Sequence, residues 1–462
     1  MFSKSLSLTL LLLWTLSMTA RGASPFYAPF NTSLDSASVI PVSLPNCTEA
    51  MKRAECKKKV TFTVFMAADN ELTPFALWDL AELSSVGSDE NVDVIVHLDL
   101  KGEDGSGVYR VLKKTGLFKP EFTISDYEKL KPTDFNLEIL HEMPEIESLF
   151  ETFEPANFYG QIAVKEDTSR RKLIRTLEIA ESQFPSHQKI TVLWGHGLGW
   201  EGFGLDESNR NTLSILEIKR AFKRTRHYPD LLITDSCLLQ TFEVLTLLSG
   251  SAKAVTGTAL LQIGVGLPYR RLLKSLKKNL RENEGNSEDS IRVYGENLPN
   301  LFDTFLKEQK HSGPPYSLST ISLLKWRSDV EPAFRRWSEA AFHEITENRL
   351  KSRPAFFFAR DRSRAYGENS EISSFLKEII RNEDDLFLVG FVHSSRDFLK
   401  LLESGTIRSV SSTELAEKSL SLSIYFPTTP EHWEISLPIM KKGQTDILEW
   451  NQFLRQIFKR ET

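Results

Sequence analysis

The chain has 462 residues, of which 40% are hydrophobic and 26% charged, with a formal net charge of -5. That length suits one large globular domain or two ordinary ones. The small charge gives no footing for a nucleic-acid or acidic-membrane partner, and short basic clusters such as "KKNL" and "KRTR" read as solvated helix faces.

At the N-terminus Lys4 precedes an apolar run from Leu6 to Trp14, followed by the small residues of "SMTARGAS". This is a secretory signal pattern with cleavage expected between Ala20 and Ser24. The run is too short for a bilayer span, and no later segment reaches about 18 uninterrupted apolar residues. The mature protein is expected to be secreted or periplasmic. Three cysteines follow, Cys47, Cys56 and Cys237. In an oxidising compartment Cys47 and Cys56 would close a short loop worth about 2.5 kcal/mol, with two free thiols as the alternative. Cys237 is then the thiol left over.

The elements follow in order. "VTFTVFMAA" (60–68) reads as a strand, and "DNELTPFALWDLAELSSVG" opens a helix with Asp69 or Asn70 placed to cap it. "VDVIVHLDL" is a second strand, and "TSRRKLIRTLEIAESQF" (168–184) has helical spacing. "KITVLW" is a third strand, "SILEIKRAFKRT" a helix, "DLLITDS" a fourth strand and "AKAVTGTA" a fifth. Each strand is a near-continuous apolar run alternating with helices, which predicts an α/β fold with a mostly parallel sheet covered on both faces. Beyond Tyr269 the chain is richer in helix, with later strands expected at "LFLVGFV" and "LSLSIYF". The expected organisation is a signal peptide (1–23), an N-terminal extension (24–57), a catalytic core (58–270) and a more helical C-terminal part (271–462).

Two residues stand out against this frame. His196 follows the third strand in "LWGHGLGW", and Cys237 follows the fourth in "ITDSCLLQTFEV". In open α/β sheets ligands bind outside the carboxyl ends of the strands. A right-handed crossover through one helix brings both residues to one sheet edge. Apolar spacing resumes at Leu238, Leu239, Phe242 and Leu245, so Cys237 is expected at a helix start, where the dipole would favour a thiolate. Gly197 leaves its N–H open to an oxyanion, and His196 could protonate a leaving amine and then activate water. On spacing alone, a lone His after a strand is more often a capping or structural residue and a lone Cys more often part of the core.

Together "LWGHGLGW" and "ITDSCLLQTFEV" resemble the clostripain family of cysteine peptidases, enzymes of caspase-like fold related to gingipains, legumain and separase. The matching positions are His196, Gly197, Gly199, Trp200, Asp235, Cys237, Leu238 and Glu243. "AADNELTP", "GVGLPYRRLL" and "LSLSIYFP" extend the likeness over roughly Val60 to Pro427. The resemblance implies an endopeptidase with a His196–Cys237 dyad acting on proteins or peptides, cutting after Arg or Lys. Asp235 would receive the basic side chain, its alternative role being to cap the turn. Two departures appear: Gln240 stands where the family often has a small residue, and "VTGTALLQIGVGLPY" lacks the acid or polar pair usual in relatives. The resemblance also implies self-cleavage in "EGFGLDESNRNT" at Arg210–Asn211, converting a zymogen. The chemistry needs no cofactor, no two histidines are spaced as metal ligands, and calcium is possible because some relatives require it and acids surround Asp206. A silent caspase-fold scaffold and a thiol acyl-transferase are the alternatives.

Overall fold

The computed structural model describes residues 55–102, 106–118, 124–142, 168–208, 211–283, 287–311, 313–382, 386–412, 419–443 and 447–459. The signal pattern, Cys47 and Arg210 lie outside the described residues. Cys56 is buried and disulfide-bonded; Cys47 is its expected partner.

A nine-stranded sheet organises the chain, in the order β13-β10-β9-β8-β5-β1-β2-β3-β4. Its middle is parallel: β2 (Val92–Leu100), β1 (Lys58–Ala68), β5 (Ser186–Gly195), β8 (Leu231–Asp235) and β9 (Ala254–Gly257). β3 (Gly107–Val111) and β4 (Leu137–Glu142) extend one side antiparallel, and β10 (Ser317–Ser322) and β13 (Ile407–Ser411) extend the other. The sheet thus runs through both the expected catalytic core and the expected C-terminal part.

The apolar strands are explained by burial on both faces. Along β1, Val60, Phe62, Val64 and Met66 enter one hydrophobic cluster, while Phe65 and Ala67 enter the other. The first cluster is closed by the helices Thr73–Val86 and Tyr269–Glu282, which bring Leu77, Leu80, Leu272 and Leu276. The second continues into the C-terminal helices. There Trp337 stacks on Trp450 at 5.4 Å and on Phe398 at 5.6 Å, an arrangement of large rings that dominates core energetics.

Three local expectations are corrected. "LFLVGFV" is not a strand; it leads into the helix Val389–Leu401, whose Phe391, Val392, Ser395 and Phe398 are buried at helical spacing. The helix Thr73–Val86 has Leu72 at its N-cap with no side-chain cap. Asn70 accepts instead from Leu72 N at 2.9 Å, and Asp69 from Ser208 N at 3.2 Å. "EGFGLDESNRNT" is not a plain loop: β6 (Phe203–Asp206) and β7 (Asn211–Leu213) pair as a hairpin. "LSLSIYF" does form β14 (Ser423–Tyr425), within a small separate sheet beside β11 (Ala365–Tyr366) and β12 (Asn369–Glu371).

Candidate active site

Strands β5 and β8 pair in parallel with Trp194 opposite Asp235. His196 and Cys237 each lie two residues beyond that pair, at the carboxyl edge. Between the strands runs the helix Ile215–Thr225, started by Ser214, whose hydroxyl and Glu217 form a reciprocal capping box. The two chains nearly touch at Gly197. A β-carbon there would lie 2.0 Å from the Cys237 carbonyl oxygen. No side chain fits, which explains why glycine follows the histidine. Leu198 N and Gly204 N make the bonds on either side, to Gly202 O at 3.0 Å and His196 O at 2.8 Å. Gly197 therefore sits opposite Phe203 in a non-hydrogen-bonded position, and its N–H is not used by that pairing.

His196 is partly exposed, and its Nε2 meets Glu71 Oε1 at 2.7 Å. Glu71 was present in "AADNELTP" but not singled out by the sequence reasoning. It sits on the loop after β1, next to Asn70, whose amide donates to Leu205 O at 2.6 Å and Ala67 O at 3.2 Å. Slight burial pushes the Glu71 carboxyl up, but hydrogen bonding to its own backbone and the neighbouring His196 prevail and hold it below its usual value. The imidazole is thus held from one side, with Nδ1 left for another partner.

Cys237 does not begin a helix. It lies in a turn with Leu238 at φ 61°, and the helix Phe242–Leu248 starts five residues later, capped by Thr241. The helix-dipole expectation is therefore corrected: Leu238 in the left-handed region breaks the helical path. Burial pushes the thiol above its usual value, with Asp235 adding to the rise, while the Gln262 N–H, donating to Sγ at 3.2 Å, opposes it. The loop is pinned by Leu238 N to Leu260 O at 3.0 Å. It is also held by Gln240, whose Nε2 donates to Ser319 O and Oγ at 3.1 Å. That buried use accounts for a large polar residue where a small one was expected. Glu243 accepts from Tyr425 N at 3.1 Å, and burial raises its carboxyl to about 7.

Asp235 is buried under the turn. Its Oδ2 accepts from Tyr269 OH at 2.9 Å and Leu267 N at 3.2 Å, and its Oδ1 from Gln262 Nε2 at 2.5 Å. Asp79 is a close buried neighbour, held by Trp194 Nε1 at 2.7 Å. A β-carbon on Gly266, at φ 61°, would lie 3.1 Å from Asp235 Oδ2 and 3.4 Å from Asp79 Oδ2. Burial raises both carboxyls, and each like charge worsens Asp79's position. Among the described residues neither is paired with Lys or Arg.

Asn211 begins β7 opposite Asp206. The acids near Asp206 gather on an ammonium: Lys172 Nζ lies 2.7 Å from Asp99 and 3.5 Å from Asp206. As arranged, that donor set does not fit a calcium ion, because Lys172 supplies the charge a cation would.

The clostripain family model matches residues 64–326, more than half of the chain. The chain belongs to the clostripain family. It is a cysteine protease of that family, whose substrates are proteins or peptides. Solved structures share the fold of this clostripain-family protease. One is a secreted C11 cysteine protease from Bacteroides thetaiotaomicron in complex with an irreversible peptide inhibitor. It is 16% identical with a TM-score of 0.51, over 84% of this chain and 100% of that one. A second from the same organism, "iotapain", is 10% identical with a TM-score of 0.54, over 86% and 99%. An inactive zymogen C11 protease from Parabacteroides distasonis is 13% identical with a TM-score of 0.50, over 86% and 98%. No curated protein matches the chain. Among the described residues no helix is long and apolar enough to cross a membrane.

Proposed function

We propose that the protein is an exported cysteine endopeptidase that cuts after Arg or Lys through His196 and Cys237. The observation that carries this reading is the paired ends of β5 and β8, which bring His196 and Cys237 to one edge with Gly197 against the Cys237 backbone. His196 takes the thiol proton, and Sγ attacks the scissile carbonyl carbon. The N–H groups of Gly197 and Cys237 receive the oxyanion. The imidazolium then protonates the departing amine, leaving a thioester, and the same ring activates water to release the acid. A thiol held above its usual value needs this base, and Glu71 orients it through Nε2. No cofactor enters any step.

Specificity for a basic side chain is supported by the buried carboxylates Asp235 and Asp79, which face one glycine and, among the described residues, are paired with no Lys or Arg. A guanidinium there makes charge-assisted bonds that a neutral side chain cannot. Self-processing is supported by the hairpin β6–β7, whose second strand begins at Asn211. Export rests on the signal pattern.

Labelling tests the whole reading. An Arg-directed acyloxymethyl ketone modifies Cys237 alone, and purified wild type yields a fragment beginning at Asn211 that Cys237→Ala lacks. Labelling that persists in Cys237→Ala, or near-normal turnover in His196→Ala, overturns the dyad. Fragments that persist in Cys237→Ala overturn self-processing.

A further inference from the structure

One residue reaches both the nucleophile and the specificity carboxylate. Gln262 donates its backbone N–H to Cys237 Sγ at 3.2 Å and its side-chain amide to Asp235 Oδ1 at 2.5 Å. We infer that the Gln262 side chain is a built-in stand-in for the substrate's basic side chain, occupying Asp235 until a guanidinium or ammonium displaces it, and so sets how strongly a basic residue must bind. This rests on the Arg/Lys reading above.

The geometry divides the Asp235 carboxylate in two. Oδ2 is held by the fixed fold, through Tyr269 OH and Leu267 N. Oδ1 is held by Gln262 alone among the described residues. The segment carrying Gln262 is irregular chain between β9 and the helix starting at Tyr269. Its neighbours are at the surface: Leu261 is 59% exposed and Val265 37%. The chain here can give way without breaking a strand or a helix.

The chemistry of the stand-in is specific. A buried carboxylate with no donor on one oxygen is costly, and an amide satisfies it without adding charge. An amide offers one neutral donor nitrogen where a guanidinium offers a fork of two N–H groups on separate nitrogens and a full charge, so the substrate wins the exchange. The free enzyme is then competent only in the fraction of molecules whose Gln262 has swung out. The apparent affinity for a basic side chain is reduced by that fraction. A neutral side chain of the same shape brings N–H donors but no charge, so it gains far less from the exchange.

The test compares two fluorogenic peptides differing only at the residue before the cut, Arg against its neutral isostere citrulline. Three proteins are used: wild type, Gln262→Ala, and Gln262→Asn, whose amide is one methylene too short to reach Asp235. Both variants keep the backbone N–H to Cys237. In both, KM for the Arg peptide falls about tenfold, the loss of one hydrogen bond to a charged group, while citrulline kinetics change less than about threefold. Equal changes on both peptides, or an Arg KM that is unchanged or higher, overturn the inference while leaving Arg preference intact. A wild type that treats Arg and citrulline alike overturns the basic-specificity reading and this inference with it. Melting curves and iodoacetamide labelling of Cys237 identify a misfolded variant, and the second variant then decides.

Discussion

Gly197→Ala separates activity from stability. The new β-carbon would stand 2.0 Å from the Cys237 carbonyl oxygen and 2.9 Å from both the carbon and nitrogen of that residue. Carbon and oxygen approach without repulsion to about 3.3 Å, so the two chains must part by roughly 1 Å. Neither can do so freely, because Trp194 and Asp235 are paired in the sheet immediately before the contact. The displacement therefore falls on His196 and the Cys237 turn. Overpacking of this kind costs about 1–3 kcal/mol, less than the about 5–15 kcal/mol that holds a domain together, so the protein still folds. A misplacement near 1 Å at reacting atoms costs about 100-fold. We expect kcat/KM on an Arg peptide to drop at least that far while Tm falls only a few degrees. Gly390→Ala is the control, because nothing lies within 4 Å of its added carbon; it should leave activity unchanged. A Gly197→Ala enzyme within about threefold of wild type would refute the claim that this close approach aligns the site.

Three further outcomes are expected. Glu71→Ala should lower kcat about tenfold with little change in KM, Glu71→Gln being milder because it can still hold Nε2; equal losses in both, or a KM effect alone, would remove Glu71 as the group orienting His196. Asp235→Asn should lose Arg hydrolysis at least 100-fold but citrulline hydrolysis less than tenfold, and equal losses would mark Asp235 as only a structural clamp. Burial holds Glu243 at about 7 in the fold, so the folded state binds the extra proton between about pH 4.5 and 7, and stability from this group is present below that window and lost as pH rises through it. Glu243→Gln should flatten the decline of Tm from pH 5 to 7.5 by the equivalent of about 3 kcal/mol; an unchanged slope would refute the assignment.

What could be read from the sequence follows from how many faces each element buries. β1, β2, β5, β8 and β9 are apolar on both sides of the sheet, so they stand out as continuous runs. With helices between them, parallel pairing and the arrival of His196 and Cys237 at one sheet edge follow. The outer strands carry no such signal. β4 is half-exposed along its length. β10 reads "SLSTIS", and its buried hydroxyls are satisfied by partners far away in sequence, such as Thr320 with Thr256 at 2.7 Å. "LFLVGFV" misleads because its apolar residues are dense enough to fit either period. The delayed helix after Cys237 depends on a left-handed leucine, which no local propensity announces. Glu71 and Gln262 were visible as residues, but their use depends on chain contacts 125 and 27 positions apart.

The C-terminal part also bears on the site. Ser423 N donates to Gln240 O at 2.9 Å, and Tyr425 N to Glu243, on the chain just after the nucleophile. Ser421 Oγ accepts from Ala259 N at 3.1 Å, at the root of the segment that carries Gln262. Tyr425 packs edge-on against Trp200 at 5.2 Å, behind the His196 turn. All three loops of the site are thus fastened to one short segment, residues 421–425, that lies beyond residue 326, where the family match ends. Without that segment, Glu243 loses one of its donors, the Tyr425 N–H, and Ala259 N loses its acceptor, and a buried group left unpaired costs about 1–3 kcal/mol. The matched segment carries His196 and Cys237, but the loops around them are also fastened by residues 421–425, so the architecture of the site belongs to the folded whole rather than to the motif.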